Sequence, residues 1–322
     1  MKKKVLCSSS SIFDTEYSKN DLIGLSGNGK VAFIYQPNNP YQYHVIDDFT
    51  ILTNHNLHYP VPRELCFADT KSIHLSGDGN RIVLLTYEQP NHKPVILDIR
   101  LKEDRFREPD YTVFQIPMLS LVMSYHGNVI AGFDTGIYRS YSNIVIYEDN
   151  NVGYQRVYKI NFLQDLDQAK ISMNSIVGVS MAFDPTGGHL VVFLLTKDSS
   201  HCLLYSFQED AWRMTDVLVV GMGNEGSSYK CPIHYDLFTQ SFTYVTTVDW
   251  SSIKIGSLTI VDNKLQLMSL DSQEIDKSDL FWIKSLYTNP SQWSNDGSIG
   301  IMASRRISKN GKWIREICRL KW

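Results

Sequence analysis

Short apolar runs, broken by clusters of Gly, Asn, Asp, Ser and Pro, recur along this chain at near-constant spacing. One unit repeats most clearly: a large apolar or aromatic residue, small polar residues, then a turn position. Its copies are Leu25-Ser-Gly-Asn-Gly29, Leu75-Ser-Gly-Asp-Gly79, Met123-Ser-Tyr-His-Gly127, Phe183-Asp-Pro-Thr-Gly187 and Trp293-Ser-Asn-Asp-Gly297, with a degenerate one in Tyr235-Asp-Leu-Phe-Thr239. The turn positions 29, 79, 127, 187, 239 and 297 are separated by 50, 48, 60, 52 and 58 residues.

Each turn precedes a strand-like run, at 31–35, 81–87, 129–133, 189–195, 241–247 and 299–303. A second polar cluster follows one strand length later, as in Gln36-Pro-Asn-Asn39, Lys197-Asp-Ser-Ser200 and Lys309-Asn-Gly311. Asn310-Gly311 favours a type I′ hairpin, because both residues tolerate positive φ. Third strands read at 44–47, 94–97, 143–147 and 202–207, and fourth strands at 111–116, 154–160 and 216–220.

Four short antiparallel strands per repeat predict an all-β fold, because a blade with two apolar faces must stack on its neighbours. The expectation is a single six-bladed β-propeller of four-stranded antiparallel blades spanning residues 1–322, with seven blades as the alternative if an insertion hides a degenerate one. Only two strands follow Gly297, and an unassigned run at 4–12 precedes the first repeat. The N-terminal strand is therefore expected to complete the last blade and close the ring.

The Phe183-Asp-Pro-Thr-Gly-Gly-His189 copy and the Ser-x-Asp-Gly copies resemble the first turn of WD-repeat and related propellers. The resemblance covers the whole chain at the level of fold, but the Trp-Asp pair of the stricter family is absent. It implies architecture and leaves function open, since propellers host many functions.

A chain of 322 residues with net charge −3 is neither a strongly basic nucleic-acid binder nor an acidic tail. Its 43% hydrophobic and 20% charged content excludes global disorder. No apolar stretch approaches a membrane span. The cysteines Cys7, Cys66, Cys202, Cys231 and Cys318 are odd in number, widely spaced and without a CxxC pair, which reads as free thiols in a reducing compartment. Met1-Lys2-Lys3-Lys4-Val5-Leu6 begins like an export signal but lacks its apolar stretch. The expected location is cytoplasmic, with a signal-independent secretion route left open.

No enzyme signature emerges, and neither a cofactor nor a metal is expected. Gly221-Met-Gly-Asn-Glu-Gly226 has dinucleotide-loop spacing after an apolar strand, but Ser227-Ser-Tyr-Lys-Cys-Pro232 is a poor helix start, so it reads as a loop. His74 and His234 hold the same repeat position, five before their turns, with Gln292 as an equivalent. They are the residues of the alternative reading, an enzyme or a small-ligand or metal binder using the central channel. Two imidazoles without a third ligand make a poor metal site, which favours satisfied structural histidines. Asp78, Asp184, Asp236 and Asp296 recur near the first turn, where repetition argues for turn capping rather than catalysis.

Insertions are the stronger functional signal. The 60- and 58-residue spacings come from extra residues just before the fourth and sixth turns. Residues 161–174 read as a short helix, and Asp271-Ser-Gln-Glu274 as a capping box opening a helix within 271–287. With loop 221–230 these segments join an outer strand to the next inner strand, on one face. This predicts a non-catalytic scaffold or adaptor, monomeric, that docks a protein partner through Asp165, Asp167, Glu225, Asp271, Glu274, Asp276, Asp279 and Phe281. A second surface lies at the C-terminus, where Arg305, Arg306, Lys309, Lys312 and three further cations face only Glu316. It suits nucleic acid or an anionic membrane surface, but interleaved Trp313, Ile314, Ile317 and Leu320 favour an ordinary blade edge.

Overall fold

The computed structural model describes residues 6–7, 17–18, 22–26, 31–35, 42–47, 55–60, 72–88, 93–102, 110–115, 118–134, 141–150, 153–222, 233–236, 240–249, 252–274, 286–288, 300–309 and 312–321. They fall in two compact units, Tyr17–Lys159 and Met1–Glu16 with Ile160–Trp322. Almost all are β-strand. The first strands are β1 (Leu6–Cys7), which belongs to the second unit, and β2 (Tyr17–Ser18).

The unit Tyr17–Lys159 holds three antiparallel sheets in chain order. Sheet I is β3 (Leu22–Leu25), β4 (Val31–Tyr35), β5 (Gln42–Asp47) and β6 (His55–Pro60). Sheet II is β7 (Ser72–Leu75), β8 (Arg81–Glu88), β9 (Lys93–Arg100) and β10 (Asp110–Phe114). Sheet III is β11 (Met118–Met123), β12 (Val129–Asp134), β13 (Ile144–Asp149) and β14 (Tyr154–Ile160).

Period-two alternation explains why the apolar runs are continuous rather than alternating with polar residues: both faces of sheet II are covered. Ile82 and Leu84 of β8, with Leu97 and Ile99 of β9, pack on Val31 and Phe33 of sheet I. Val83, Leu85 and Ile96, one residue out of phase, pack on Met118, Leu121, Ile130, Val145 and Tyr154 of sheet III.

The repeated unit found in the sequence is a hairpin closed twice. Backbone bonds run from Ser26 N to Val31 O, Ser76 N to Arg81 O and Ser124 N to Val129 O, each at 2.9 Å. In the opposite direction the same serines accept through Oγ from Val31 N, Arg81 N and Val129 N, at 2.9, 3.0 and 3.1 Å. In the second unit Asp184 takes the serine's place, with His189 N donating to Oδ1 at 2.9 Å. The turn position demands glycine on two counts. Gly79 and Gly127 have φ of +75° and +71°, and a Cβ would lie 2.6 Å from Val31 Cγ2 and 2.9 Å from Arg81 Cδ, respectively.

The second unit also builds three sheets. Sheet IV is β15 (Ile176–Phe183), β16 (His189–Thr196), β17 (Ser199–Gln208) and β18 (Ala211–Met222). Sheet V is β19 (Ile233–Asp236), β20 (Ser241–Asp249), β21 (Ser252–Val261) and β22 (Lys264–Glu274). Sheet VI contains β23 (Leu286–Thr288), β24 (Gly300–Lys309) and β25 (Lys312–Lys321). As the sequence suggested, an N-terminal strand joins this last sheet: β1 pairs antiparallel with β25, Leu6 opposite Lys321 and Cys7 opposite Leu320. Lys309 pairs with Lys312, the two-residue hairpin that Asn310-Gly311 predicts.

Sheets IV and V share one apolar seam containing Val191, Phe193, Leu195, Cys202, Leu204, Phe242, Tyr244 and Leu258. Phe193 stacks on Tyr244 at 5.0 Å between centroids. The outer strand β18 is longer than the sequence reading of 216–220 suggested, and β22 is an outer strand that the sequence reading did not assign. Each begins at a two-residue turn, Glu209-Asp210 and Asp262-Asn263, whose residues all have φ between +49° and +59°. These are type I′ turns built without glycine.

Residues 161–174 contain the expected helix, α1 (Phe162–Gln168), followed by a 3-10 turn at Met173–Ser175. Asn161 caps the helix, accepting from Gln164 N at 3.3 Å. It ends in a Schellman motif: Lys170 has φ +57°, Lys170 N donates to Asp167 O, and Ile171 N donates to Leu166 O. Asp271-Ser-Gln-Glu274 does not open a helix. It is the last part of β22, with Asp271 opposite Ile255 and Glu274 opposite Ser252. Continued pairing with β21 outweighs a four-residue capping signature. Among the described residues no helix is long and apolar enough to cross a membrane.

Candidate functional site

The sequence-derived docking residues meet different fates. On α1, Phe162 and Leu166 are buried, Asp167 is exposed and Asp165 is half-buried. Burial raises the Asp165 pKa, an effect that the hydroxyl of buried Tyr205 partly offsets. The helix therefore spends Phe162 and Leu166 on packing, buries Asp165 Oδ2 and leaves Asp167 outside. Asp271 and Glu274 lie on β22. Glu225, Asp276, Asp279, Phe281 and Gln292 lie outside the described residues.

Topology gathers the connections of the second unit at one end of its sheets. Met222, which ends β18, pairs with Ser199 beside the β16–β17 turn. Lys197 N of that turn donates to Ser175 O at 3.0 Å, which ties it to the segment following α1. Glu274, which ends β22, pairs with Ser252 beside the β20–β21 turn. Loop 221–230 departs from this end, with Gly221 and Met222 still in strand. A strand–turn–helix dinucleotide site is incompatible with the antiparallel sheet that carries them.

The histidines of the alternative reading occupy the first strands of their sheets, His74 opposite Val83 and His234 opposite Thr243. Both are half-buried, and they belong to different units. No group of three or more His, Cys, Asp or Glu suited to a metal occurs among the described residues. In the C-terminal hairpin Arg306 stands opposite Arg315 and Lys309 opposite Lys312, while Arg305 is matched by Glu316.

Two polar clusters escaped the sequence reading. The first lies between sheets II and III. Arg81 donates from Nε and Nη2 to the two oxygens of Asp98, both at 2.7 Å, and from Nη1 to Asp149 at 2.8 Å and Gly127 O at 2.9 Å. Arg100 also reaches Asp149, at 2.8 Å. The Arg81 guanidinium lies 4.2 Å from the centroid of the Tyr154 ring, whose hydroxyl donates to Gly127 O at 2.6 Å. Burial alone would lower the Arg81 pKa, but the bonded Asp98 and nearby Asp149 hold it above the ordinary value. Burial also raises the Tyr154 pKa. Four of Arg81's five N–H groups are thus engaged inside the protein, which makes this a lock between sheets. Its signal was readable: Asp98 interrupts the apolar run Val95-Ile-Leu-Asp-Ile99, and Arg81 replaces the valine of Val31 and Val129.

The second cluster lies at the end of sheet IV. Ser199 Oγ and His201 Nε2 are 2.6 Å apart, with Thr196 Oγ1 3.2 Å from the serine oxygen. Burial lowers the His201 pKa, and its Nδ1 is buried without a hydrogen-bond partner. A serine nucleophile needs an imidazole oriented through that second nitrogen. Among the described residues no group takes that orienting position.

No family model and no curated protein matches this chain. Solved structures do. Kuenenia stuttgartiensis hydrazine synthase is 11% identical and aligns over 93% of this chain and 79% of its own at a TM-score of 0.50. A Lactobacillus plantarum protein is 12% identical over 94% and 86% at 0.50. The WD40 domain of Toxoplasma gondii coronin is 10% identical over 99% and 87% at 0.47. At such identities the likeness is one of fold. With its antiparallel sheets, five of them four-stranded, following one another in chain order, this chain resembles the β-propellers in fold.

Proposed function

We propose that this chain is a protein-binding scaffold that performs no chemistry of its own, and that its six sheets form one ring over residues 1–322. The observation that carries the docking reading is the convergence of inter-sheet connections in the second unit. The segment around α1, the end of β18 and the end of β22 all leave their sheets at the end that holds the β16–β17 and β20–β21 turns. Connections on a rigid sheet scaffold are where binding residues concentrate. Asp165, Asp167, Asp271 and Glu274 belong to the elements that meet at this end, and the reading assigns Glu225, Asp276, Asp279 and Phe281, which follow β18 and β22 in the sequence, to the same docking surface for a protein partner with a basic segment. A soluble, cytoplasmic monomer fits this role. The enzymatic name of the hydrazine synthase does not transfer, because the likeness is confined to fold.

The test is affinity capture from lysate with the wild type beside Asp271→Ala/Glu274→Ala/Asp276→Ala/Asp279→Ala, both shown to be folded by circular dichroism. A partner reduced at least tenfold by the substitutions supports the reading, and a partner bound equally by both overturns it. The ring has its own test: removing residues 1–12, which include β1, should lower the melting temperature sharply, and an unchanged melt removes the closure.

A further inference from the structure

The pair Asp184–His189 sits where sheet IV meets sheet V, and its surroundings present acceptors to both imidazole nitrogens. Nδ1 lies 3.2 Å from Asp184 Oδ2 and Nε2 lies 3.3 Å from Oδ1 of Asn263, in the β21–β22 turn. A neutral imidazole has one N–H and can satisfy only one of these oxygens; the imidazolium satisfies both. Asp184 is itself committed: Oδ2 accepts from Thr186 Oγ1 at 2.7 Å and Oδ1 from His189 N at 2.9 Å. We infer that His189 is a proton-operated clasp between sheets IV and V, tight on Asn263 Oδ1 when the ring is protonated and loosened when it is neutral, where the contact survives only if the Asn263 amide turns its Nδ2 toward the ring.

The charges around the ring support this. Asp184 is the charged group facing it from its own hairpin, and Ser206 stands opposite on β17. The exposed Asp262 and Lys264 flank Asn263, and Glu209 and Arg213 pair with each other at 3.7 Å across the β17–β18 turn. The bond to Asp184 raises the His189 pKa against the opposing effect of burial, and Asn263 adds to the rise. For Asp184 burial works upward, but the bonds from His189 and Thr186 bring its pKa below the usual carboxylate value. A raised histidine stabilises fully below its unfolded value of about 6.5 and loses that contribution as pH rises through its folded value. A lowered carboxylate stabilises above about 3.9 and loses its contribution as pH falls through its folded value. The clasp is therefore tightest between these limits and loosens toward alkaline pH.

The test follows the His189 ring by NMR in the full-length protein with isotope-labelled histidine, His189→Gln assigning the signal. The ring should titrate above about 6.5. Asn263→Gly keeps the positive φ of this turn and should lower the pKa by roughly half a unit, while Asn263→Asp should raise it by a similar amount. Amide exchange at Leu190 and Leu265, corrected for intrinsic rates, should accelerate above the His189 pKa in the wild type and lose that pH dependence in Asn263→Gly. A ring that titrates at or below 6.5, or that responds to neither substitution, overturns the clasp. So does amide exchange independent of His189 charge.

Discussion

The seam between sheets II and III and the seam between sheets IV and V both have apolar cores, but the polar groups set against those cores differ. The first surrounds a buried ion pair, Arg81–Asp98, extended by Asp149, Arg100 and Tyr154. The second is apolar and aromatic, centred on Phe193, Tyr244, Phe242 and Leu204, with the Tyr244 hydroxyl bonded to Val220 O at 3.3 Å. A repeat therefore prescribes that neighbouring sheets stack, while the chemistry of the stack is free to differ. The ion-paired cluster of the first seam depends on complete pairing, since a buried charge without its partner is costly. The second seam depends on volume.

The largest losses should come from breaking each seam at its centre. Asp98→Ala strands Arg81 in a dry site and should destabilise by about 3–5 kcal/mol in chemical denaturation. Phe193→Ala removes the ring stacked on Tyr244 and should cost a similar ~3–5 kcal/mol. Next comes overfilling. A Cβ at Gly256 would lie 2.1 Å from Tyr244 Cζ, so Gly256→Ala should cost about 1–3 kcal/mol. Ser76→Ala removes the Oγ that accepts from Arg81 N inside the buried hairpin, and about 1 kcal/mol should go with it. The smallest effect sharpens the contrast most. Arg81→Met with Asp98→Leu removes both charges and should leave the denaturation midpoint near that of the wild type or above it. A double variant as unstable as Asp98→Ala would mean that the network contributes more than its own mutual satisfaction.

What the sequence disclosed was whatever depended on local, repeated chemistry. The Leu-Ser-Gly-x-Gly units marked hairpins because the serine closes the hairpin and positive φ selects glycine. The N-terminal strand was legible from the missing fourth strand of the last repeat. Local signals misled where pairing with a neighbour decided the outcome: Asp271-Ser-Gln-Glu274 carries a helix signature but continues the ladder with β21. The length of β18 was hidden because Glu209-Asp210 makes a type I′ turn without the glycine that advertises one. Of the candidate docking residues, the helix holding Asp165 and Asp167 was foreseen, but its packing side and the contact with Tyr205 were not, since helical periodicity over seven residues does not say which sheet lies beneath. Asp98 and Arg81 each stood out in an otherwise apolar context. Their partnership joins adjacent strands, and only the register of β8 with β9 reveals it.

The pairing of β1 with β25 orders events in time. Each of β3 to β25 has a partner close by in the sequence, so those contacts close short loops and form early. Leu6 meets Lys321 only once nearly the whole chain is available. During synthesis, sheets I to V can assemble as their strands emerge, while β1 waits with its edge unsatisfied for the final hairpin. The same pairing closes the longest loop and rests on two residues, Leu6 and Cys7, so it should be the last to form and the first to open.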